Sequence, residues 1–168
     1  MPASLPAPGA RLRTLWRRLS GLPGGKALFS ILFGHMVPYT GRMGARVETL
    51  EPGFCRVSLR DRRRVRNHLN SIHAMALANL AEAASGLAVV AALPAGVQGI
   101  VTGFSITYQK KARGRLVAEC RVDVAAVTAE REQQAEVTIT DAAGDVVARA
   151  TATWRLRPPV YPPARLPA

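Results

Sequence analysis

The sequence of 168 residues predicts a single α+β domain in which a curved antiparallel sheet wraps around one long central helix. The segment from Ile72 to Leu93 is almost entirely apolar, and Glu82 is its only carboxylate. Segments with strand character lie on both sides of this helix, two before it and three or four after it. A helix that is apolar on every side must be covered on every side, which a curved sheet and a second subunit can achieve together.

Two short helices are predicted over about residues 11–20 and 26–37, within an N-terminal extension of residues 1–40. A Gly-Leu-Pro-Gly-Gly break separates them, and Pro38 ends the second. The apolar run of residues 27–37 is shorter than the about 20 residues that cross a bilayer, and it lacks a small-residue cleavage site. We therefore expect helices packed on the domain of a cytoplasmic protein with no transmembrane segment. The alternative is that the basic first helix makes weak contact with a membrane surface.

The folded domain is expected to cover residues 41–158, followed by an extended proline-rich tail over residues 159–168. The first two strands alternate apolar and polar side chains around Glu-Pro-Gly and predict a hairpin. Hairpin, long helix and antiparallel meander, in that order, are typical of the hotdog architecture. The strands are predicted over residues 44–50, 54–60, 99–109, 115–127, 133–141 and 146–157.

Two features of the composition limit the function. Cys55 and Cys120 fall in predicted strands without metal-ligand spacing, which predicts reduced core cysteines and no metal site. The formal net charge of +12 predicts attraction to polyanions, whether nucleic acid, anionic lipid or the phosphates of a nucleotide. Only 5% of the residues are aromatic and no nucleic-acid-binding motif is present, so specific nucleic-acid binding is the weakest hypothesis.

The segment Asn-His-Leu-Asn-Ser-Ile-His-Ala-Met, residues 67–75, opens the central helix. It resembles the corresponding segment of hotdog-fold acyl-CoA thioesterases of the phenylacetate-pathway and hydroxybenzoyl-CoA type. In that family an Asn-His pair is followed by His-Gly-Gly-Ala and by an acidic residue eight positions after the first glycine. Here Asn67-His68, His73 and Glu82 match, whereas Ala74 and Met75 replace the glycines. Residues 28–48 look closest to an uncharacterised branch of the family, domain of unknown function 4442.

The resemblance implies a metal-free hydrolase that needs no cofactor, coenzyme A being part of the substrate. The start of a helix offers unpaired N–H groups to a developing oxyanion, and the candidate donor is the N–H of Ala74. Asn67 is expected to bind the thioester carbonyl or the water, and Glu82 to act as general base or nucleophile. His73 is a further catalytic candidate, with a purely structural position at the helix start as its alternative. Asn70 or Ser71 is the expected N-cap.

The spacing of two of these residues predicts a dimer. Ala74 and Glu82 are eight positions apart, about 12 Å along a helix, so one carbonyl cannot contact both on the same chain. Two antiparallel central helices with a twofold axis near Ala78 would bring the start of each to the middle of the other. The small side chains of Ala74, Ala78 and Ala81 would permit close approach. We therefore expect a homodimer, or a dimer of dimers, with two composite sites.

Further residues are predicted to contact the substrate. Asn79, Glu82 and Ser85 form a polar stripe on the helix. The alternative to a catalytic role for Glu82 is that it only bonds Asn79, Ser85 or an arginine inside a dimer contact. Met75 fills space near the helix start. Thr102 is a candidate on a neighbouring strand, with a buried structural threonine as its alternative. The basic residues expected to bind the phosphates of coenzyme A, or else to form a solvated surface, are Arg64, Arg66, Lys110, Lys111 and Arg113.

The sequence therefore supports two leading functional hypotheses. The first is an acyl-CoA thioesterase with Glu82 at its catalytic centre. The second is a non-catalytic hotdog protein that binds acyl-CoA or a fatty acyl group, because the glycine pair of the enzymes is replaced by Ala74 and Met75.

Overall fold

The structure, a computed structural model, describes residues 8–159, which form a curved antiparallel sheet, one long helix and three N-terminal helices. The helices are α1 (Pro8–Ser20), α2 (Gly25–Met36), α3 (Pro38–Met43) and α4 (Ala74–Ala92). The strands are β1 (Arg46–Glu51), β2 (Phe54–Leu59), β3 (Gln98–Tyr108), β4 (Leu116–Arg121), β5 (Arg131–Thr140) and β6 (Val146–Arg157). They lie in the order β1-β2-β4-β5-β6-β3, and each neighbouring pair is antiparallel. This is the predicted hotdog fold.

The core lies between α4 and the sheet. Leu80, Ala84 and Ala88 on α4 are completely buried, as are Leu116 and Ile139 on the strands that face them. Within residues 8–159, α4 is the one helix that is long and apolar enough to cross a membrane. Its burial against the sheet explains that composition, because a core helix needs apolar side chains around most of its circumference.

The N-terminal helices pack on this domain, as expected. Lys26 of α2 donates a hydrogen bond from Nζ to the carbonyl of Glu48 at 2.7 Å, and Ser30 Oγ accepts the N–H of Val47 at 2.9 Å, so α2 is docked along β1. Trp16 of α1 meets Phe29 of α2 edge to face, with ring centroids 5.0 Å apart. These two aromatic side chains join the N-terminal helices to the core.

Glycines allow two close helix contacts. A Cβ at Gly9 would collide with the carbonyl of Val90, so α1 lies directly against the second half of α4. Gly34 and Gly41 face each other where α2 turns into α3, and a Cβ on Gly34 would come within 2.9 Å of the Gly41 Cα. The sequence did not predict α3, because Pro38 both ends α2 and occupies the first position of the next helix, where proline is favourable.

Two predicted boundaries were wrong. The central helix begins at Ala74, and its N-cap is His73 rather than Asn70 or Ser71, because Asn70 has a positive φ of 52° and the Ser71 hydroxyl donates to another side chain. The strand predicted over residues 115–127 ends at Arg121, which pairs with Phe54 at the turn of the first hairpin. Beyond that turn β2 no longer provides a partner.

The predicted hairpin and core cysteines were confirmed. β1 and β2 pair with each other around the Glu-Pro-Gly turn. Cys55 and Cys120 are free, buried and directly opposite each other on β2 and β4. Burial raises the pKa of Cys120 to about 12 and raises the pKa of Cys55 as well. Both thiols therefore stay protonated at neutral pH.

Candidate active site

Asn67 organises the loop that leads into α4. Its Oδ1 accepts hydrogen bonds from the N–H of Leu69 at 2.9 Å, the N–H of Ser71 at 3.2 Å and the hydroxyl of Ser71 at 3.1 Å. The oxygen is therefore fully engaged within the loop. Only the side-chain NH₂ of Asn67 can be offered to a substrate carbonyl.

The first turn of α4 leaves one backbone donor unused. His73 Nδ1 accepts the N–H of Met75 at 3.0 Å, and the carbonyl of His73 accepts the N–H groups of Ala76 and Leu77. Within residues 8–159 the N–H of Ala74 has no acceptor, as is typical of the first helical position. His73 thus acts as a helix cap in this chain, and Ala74 supplies the donor that an oxyanion can use.

A groove of about 300 Å³ borders the Ala74 side of the helix start, and we call it the Ala74 groove. Asn67 and Ala74 both line it, so the structure brings these two candidates together. The hydroxyl of Tyr108, at the end of β3, donates to the carbonyl of Ala74 at 3.2 Å and connects the sheet to the helix start. Lys110 and Lys111 also line this groove.

A second groove, of about 250 Å³, borders the opposite side of the helix start, and we call it the His73 groove. Met75 is 56% exposed on its wall. The amide oxygen of Asn79 accepts a hydrogen bond from the buried hydroxyl of Thr40 at 2.9 Å, which attaches α3 to α4. The candidate residues that line this groove are Arg64, Arg66, His73, Met75 and Asn79.

Glu82 lines a separate cavity of about 490 Å³, which we call the Glu82 cavity. It lies between α4, α1 and α2, and Trp154 of β6 closes one side. Apart from Glu82 and Arg11, the side chains around it are apolar. The apolar side chains contributed by α1 and α2 are Pro8, Leu12, Leu15, Phe33 and Met36, and Val37 follows directly after α2.

The carboxylate of Glu82 has no hydrogen-bond or salt-bridge partner within residues 8–159. The alternative in which Asn79, Ser85 or an arginine binds it is therefore not realised in the single chain. Burial raises the pKa of Glu82 above its ordinary value of 4.5. A half-buried carboxyl that holds its proton more tightly than usual is suited to general base catalysis.

Other predicted residues lie away from these cavities. Ser85 is fully buried, and its hydroxyl donates to the carbonyl of Glu82 at 2.9 Å. Thr102 is exposed at a register shift of β3, which contradicts its alternative as a buried strand threonine. Ala81 is completely buried within its own chain, so the prediction that it lies at a contact between two helices was wrong.

The basic candidates differ in how they are neutralised. Arg66 forms an ion pair with Asp61 at 2.6 Å, and Lys110 pairs with both Asp141 and Asp145 at 2.7 Å. These pairs hold the pKa of Asp61 and of Asp141 below the usual range. Arg64 makes no such pair within residues 8–159 and lines the His73 groove. Lys111 and Arg113 are exposed.

Sequence reasoning missed the contribution of the N-terminal helices to the site. The apolar faces of α1 and α2 predict packing, but they do not reveal that the two helices leave space beside Glu82. Arg42 was missed for a similar reason. It lies on α3, which the sequence did not predict, and it lines the His73 groove.

A family model matches residues 25–156, which is more than half of the chain. The chain belongs to the family described as domain of unknown function DUF4442. The match begins at α2, so α1 lies outside the matched DUF4442 region although it lines the Glu82 cavity. No protein with a curated functional description matches the chain.

Solved structures support the fold of this DUF4442 chain. It is 29% identical to PA5026 from Pseudomonas aeruginosa, a protein of unknown function described as a probable thioesterase, with a TM-score of 0.70 over 81% of this chain and 96% of that one. The thioesterase HI1161 from Haemophilus influenzae is 12% identical, with a TM-score of 0.65 over 73% and 85%. A mutant of the phenylacetic acid degradation protein PaaI from Thermus thermophilus is 22% identical, with a TM-score of 0.61 over 70% and 97%. The last two show the fold alone.

Proposed function

We propose that this chain is an acyl-CoA thioesterase that works in the cytoplasm as a homodimer, with each active site built from two chains. One chain supplies the N–H of Ala74 and the amide of Asn67, and the other supplies its Glu82. The observation that carries the proposal is that, within residues 8–159, the N–H of Ala74 at the start of α4 has no acceptor and the carboxylate of Glu82 in its middle has no partner. The single chain leaves these two groups in different cavities.

The chemistry follows from these groups. Glu82 takes a proton from water, and the resulting hydroxide attacks the thioester carbonyl carbon. The negative charge that develops on the carbonyl oxygen is stabilised by the N–H of Ala74 and the positive end of the helix dipole. When the tetrahedral intermediate collapses, the carbon–sulfur bond breaks and the proton passes to the thiolate. The products are a carboxylic acid and free coenzyme A.

Two surfaces support association of two chains. β3 pairs only with β6 within residues 8–159, so the backbone groups along its other edge are unpaired, and the strand also carries the exposed side chains Ile100 (62%), Phe104 (38%) and Tyr108. An exposed, long and apolar strand edge is a template for pairing with another strand. On α4, Ala78 and Glu82 are both half-exposed in the single chain. Both surfaces are available to a twofold-related copy.

The Glu82 cavity suggests what the acyl group is. Its volume of about 490 Å³ and its largely apolar lining suit an aliphatic or aromatic acyl chain. The chain would extend from Glu82 between α1 and α2, with its carbonyl at the mouth.

The test is release of free thiol from a panel of aliphatic and aromatic acyl-CoA compounds by the purified full chain. We expect Glu82→Gln to lower kcat by at least about 100-fold while the circular dichroism spectrum stays unchanged. Glu136→Gln removes an exposed carboxylate of β5 and provides the matched control. Undiminished turnover by Glu82→Gln would overturn the mechanism.

A non-catalytic acyl-CoA-binding protein is the second candidate, favoured by the exposed Met75 in place of a glycine at the helix start. Isothermal titration calorimetry separates the two functions. Tight binding of an acyl-CoA together with no hydrolysis by the wild-type protein would establish the binding protein and exclude the enzyme.

A further inference from the structure

A further cavity lies outside the proposed thioester site, between α2, α3 and the first hairpin, and we call it the arginine cleft. Its volume is about 680 Å³. One wall is the face of α2 that carries Ala27 and Ile31, together with Pro38. Neither Ala74 nor Glu82 lines it. The other wall carries five arginines: Arg42, Arg46, Arg60, Arg62 and Arg64.

Most of the positive charge in the arginine cleft has no carboxylate close to it. Arg46 is 3.7 Å from Glu48, whose carboxylate also bonds Ser58 and Arg115. The other four arginines of the cleft have no carboxylate within 4.0 Å among residues 8–159. Like charges at close range repel, and an anion between them would remove that cost.

Two of the guanidinium groups converge at Gly44. This glycine has a φ of +71°, and a Cβ there would collide with the guanidinium of Arg64 and come within 3.9 Å of that of Arg62. The absence of a side chain lets the Arg64 guanidinium lie against the backbone here, where Nη2 is 3.5 Å from the carbonyl of Met43, and the Arg62 guanidinium lies beside the same glycine. Paired guanidinium groups present forked donors that match the oxygens of a phosphate.

We propose that the arginine cleft binds the phosphates of a nucleotide, and that this nucleotide is part of the thiol carrier of the substrate. The side chains of Ala27 and Ile31 suit a planar base, His35 can bond to its polar edge, and the arginine wall suits its phosphates. Arg42 and Arg64 line both this cleft and the His73 groove, so they connect it to the start of α4. The identity of the carrier rests on the proposed function, whereas binding of the phosphates does not.

The first experiment measures binding of adenosine 3′,5′-bisphosphate to the full chain by calorimetry. The Arg62→Gln/Arg64→Gln variant is expected to weaken binding by at least about tenfold. Arg17→Gln/Arg18→Gln removes the same charge from exposed positions on α1 and is expected to leave the affinity within twofold. Equal loss in both variants would overturn the proposal, because general surface charge would then explain binding.

Three further ligands identify the source of the phosphate. Adenosine without phosphate is expected not to bind. Inorganic phosphate that binds as tightly as the bisphosphate, or anionic phospholipid vesicles that bind while the bisphosphate does not, would overturn the nucleotide assignment.

A kinetic experiment separates this proposal from the proposed function. The Arg62→Gln/Arg64→Gln variant is expected to raise KM for an acyl-CoA at least about tenfold with kcat within twofold, and to leave turnover of the corresponding acyl-pantetheine unchanged. If wild-type protein binds the bisphosphate but hydrolyses neither thioester, the enzyme function fails and the phosphate site stands. An equal rise in KM for both thioesters would overturn the phosphate site.

Discussion

Glu82 is a carboxylic acid in a cavity whose other lining side chains are apolar except for Arg11. Removing water from the charged form costs free energy, and within residues 8–159 no donor compensates for it. Folding therefore raises the pKa of Glu82 above that of the unfolded chain. The cost of keeping this residue ionised has a measurable effect on stability.

We predict that Glu82→Gln stabilises the protein at high pH and not at low pH. The unfolded chain loses the Glu82 proton near 4.5, and the folded chain loses it only at a higher pH. Between the pH at which the unfolded chain loses this proton and the higher pH at which the folded chain loses it, only the folded state holds the proton. The wild-type free energy of unfolding therefore falls as pH rises through this range. Glu82→Gln has no proton to release at this position, so its free energy of unfolding does not fall in this way.

Urea denaturation at pH 4 and at pH 8 checks this prediction. The two proteins are expected to have equal free energies of unfolding at pH 4, and the variant the larger one at pH 8. Glu136→Gln controls for the change in net charge. A wild-type protein that is more stable than Glu82→Gln at pH 8 would contradict the prediction and would indicate a cationic partner for the carboxylate.

At the scale of elements, α4 contains one position where its sequence does not favour a helix. Gly86 lies in the middle of the helix, and a Cβ there would lie 3.6 Å from the Trp154 ring and 3.7 Å from Glu82 Oε1. Both distances are ordinary van der Waals contacts. An alanine therefore fits without displacing its neighbours, at the floor of the Glu82 cavity.

We predict that Gly86→Ala raises the free energy of unfolding by about 0.5–1 kcal/mol, because alanine loses less backbone entropy than glycine in a helix. Urea denaturation with an unchanged m-value checks the prediction. The matched control is Gly9→Ala, where a Cβ would collide with the carbonyl of Val90, so this variant is expected to destabilise the protein. Destabilisation by Gly86→Ala would contradict the prediction and would show that a Cβ does not fit at the floor of the Glu82 cavity.

The elements differ in how well the sequence predicted them. The long apolar run of α4 and the alternation of β2 are periodic patterns, and both elements form as expected. The end of β4 at Arg121 depends on where β2 stops, which is a tertiary fact that no local pattern contains. The same holds for α3, which exists because Gly34 and Gly41 allow two helices to meet closely.

The candidate site was predicted unevenly for the same reason. An acidic residue in an apolar helix is visible in the sequence, and so is a polar loop before it. The capping bond of His73 and the unused N–H of Ala74 depend on which residue begins the helix. The space beside Glu82 depends on how α1 crosses α4, and only the folded chain specifies that crossing.

At the scale of the whole molecule, the proposed active site requires two chains, and this requirement can be tested with two inactive variants. Ala74→Pro removes the N–H at the first helical position, where proline is well tolerated. His73 already has φ −64° and ψ 141°, which suits a residue before proline. We expect Ala74→Pro to lower kcat by about 100- to 1,000-fold with the helix intact. Ala74→Gly keeps the N–H and is the matched control.

A mixed dimer of the two variants then shows whether the N–H of Ala74 and the carboxylate of Glu82 in one site come from different chains. In a heterodimer of Ala74→Pro with Glu82→Gln, one site contains both substitutions and the other contains neither. Thiol release is measured after co-expression of the two differently tagged chains and isolation of the dimers that carry both tags. Because each of these dimers has one intact site of two, the isolated heterodimer should recover about half of wild-type activity. A mixed dimer no more active than either parent dimer would contradict the two-chain site. It would mean either that the N–H of Ala74 and the carboxylate of Glu82 act in the same site from the same chain, or that one of them has no part in catalysis. The first reading is incompatible with one carbonyl, because the two groups are separated by about 12 Å along α4.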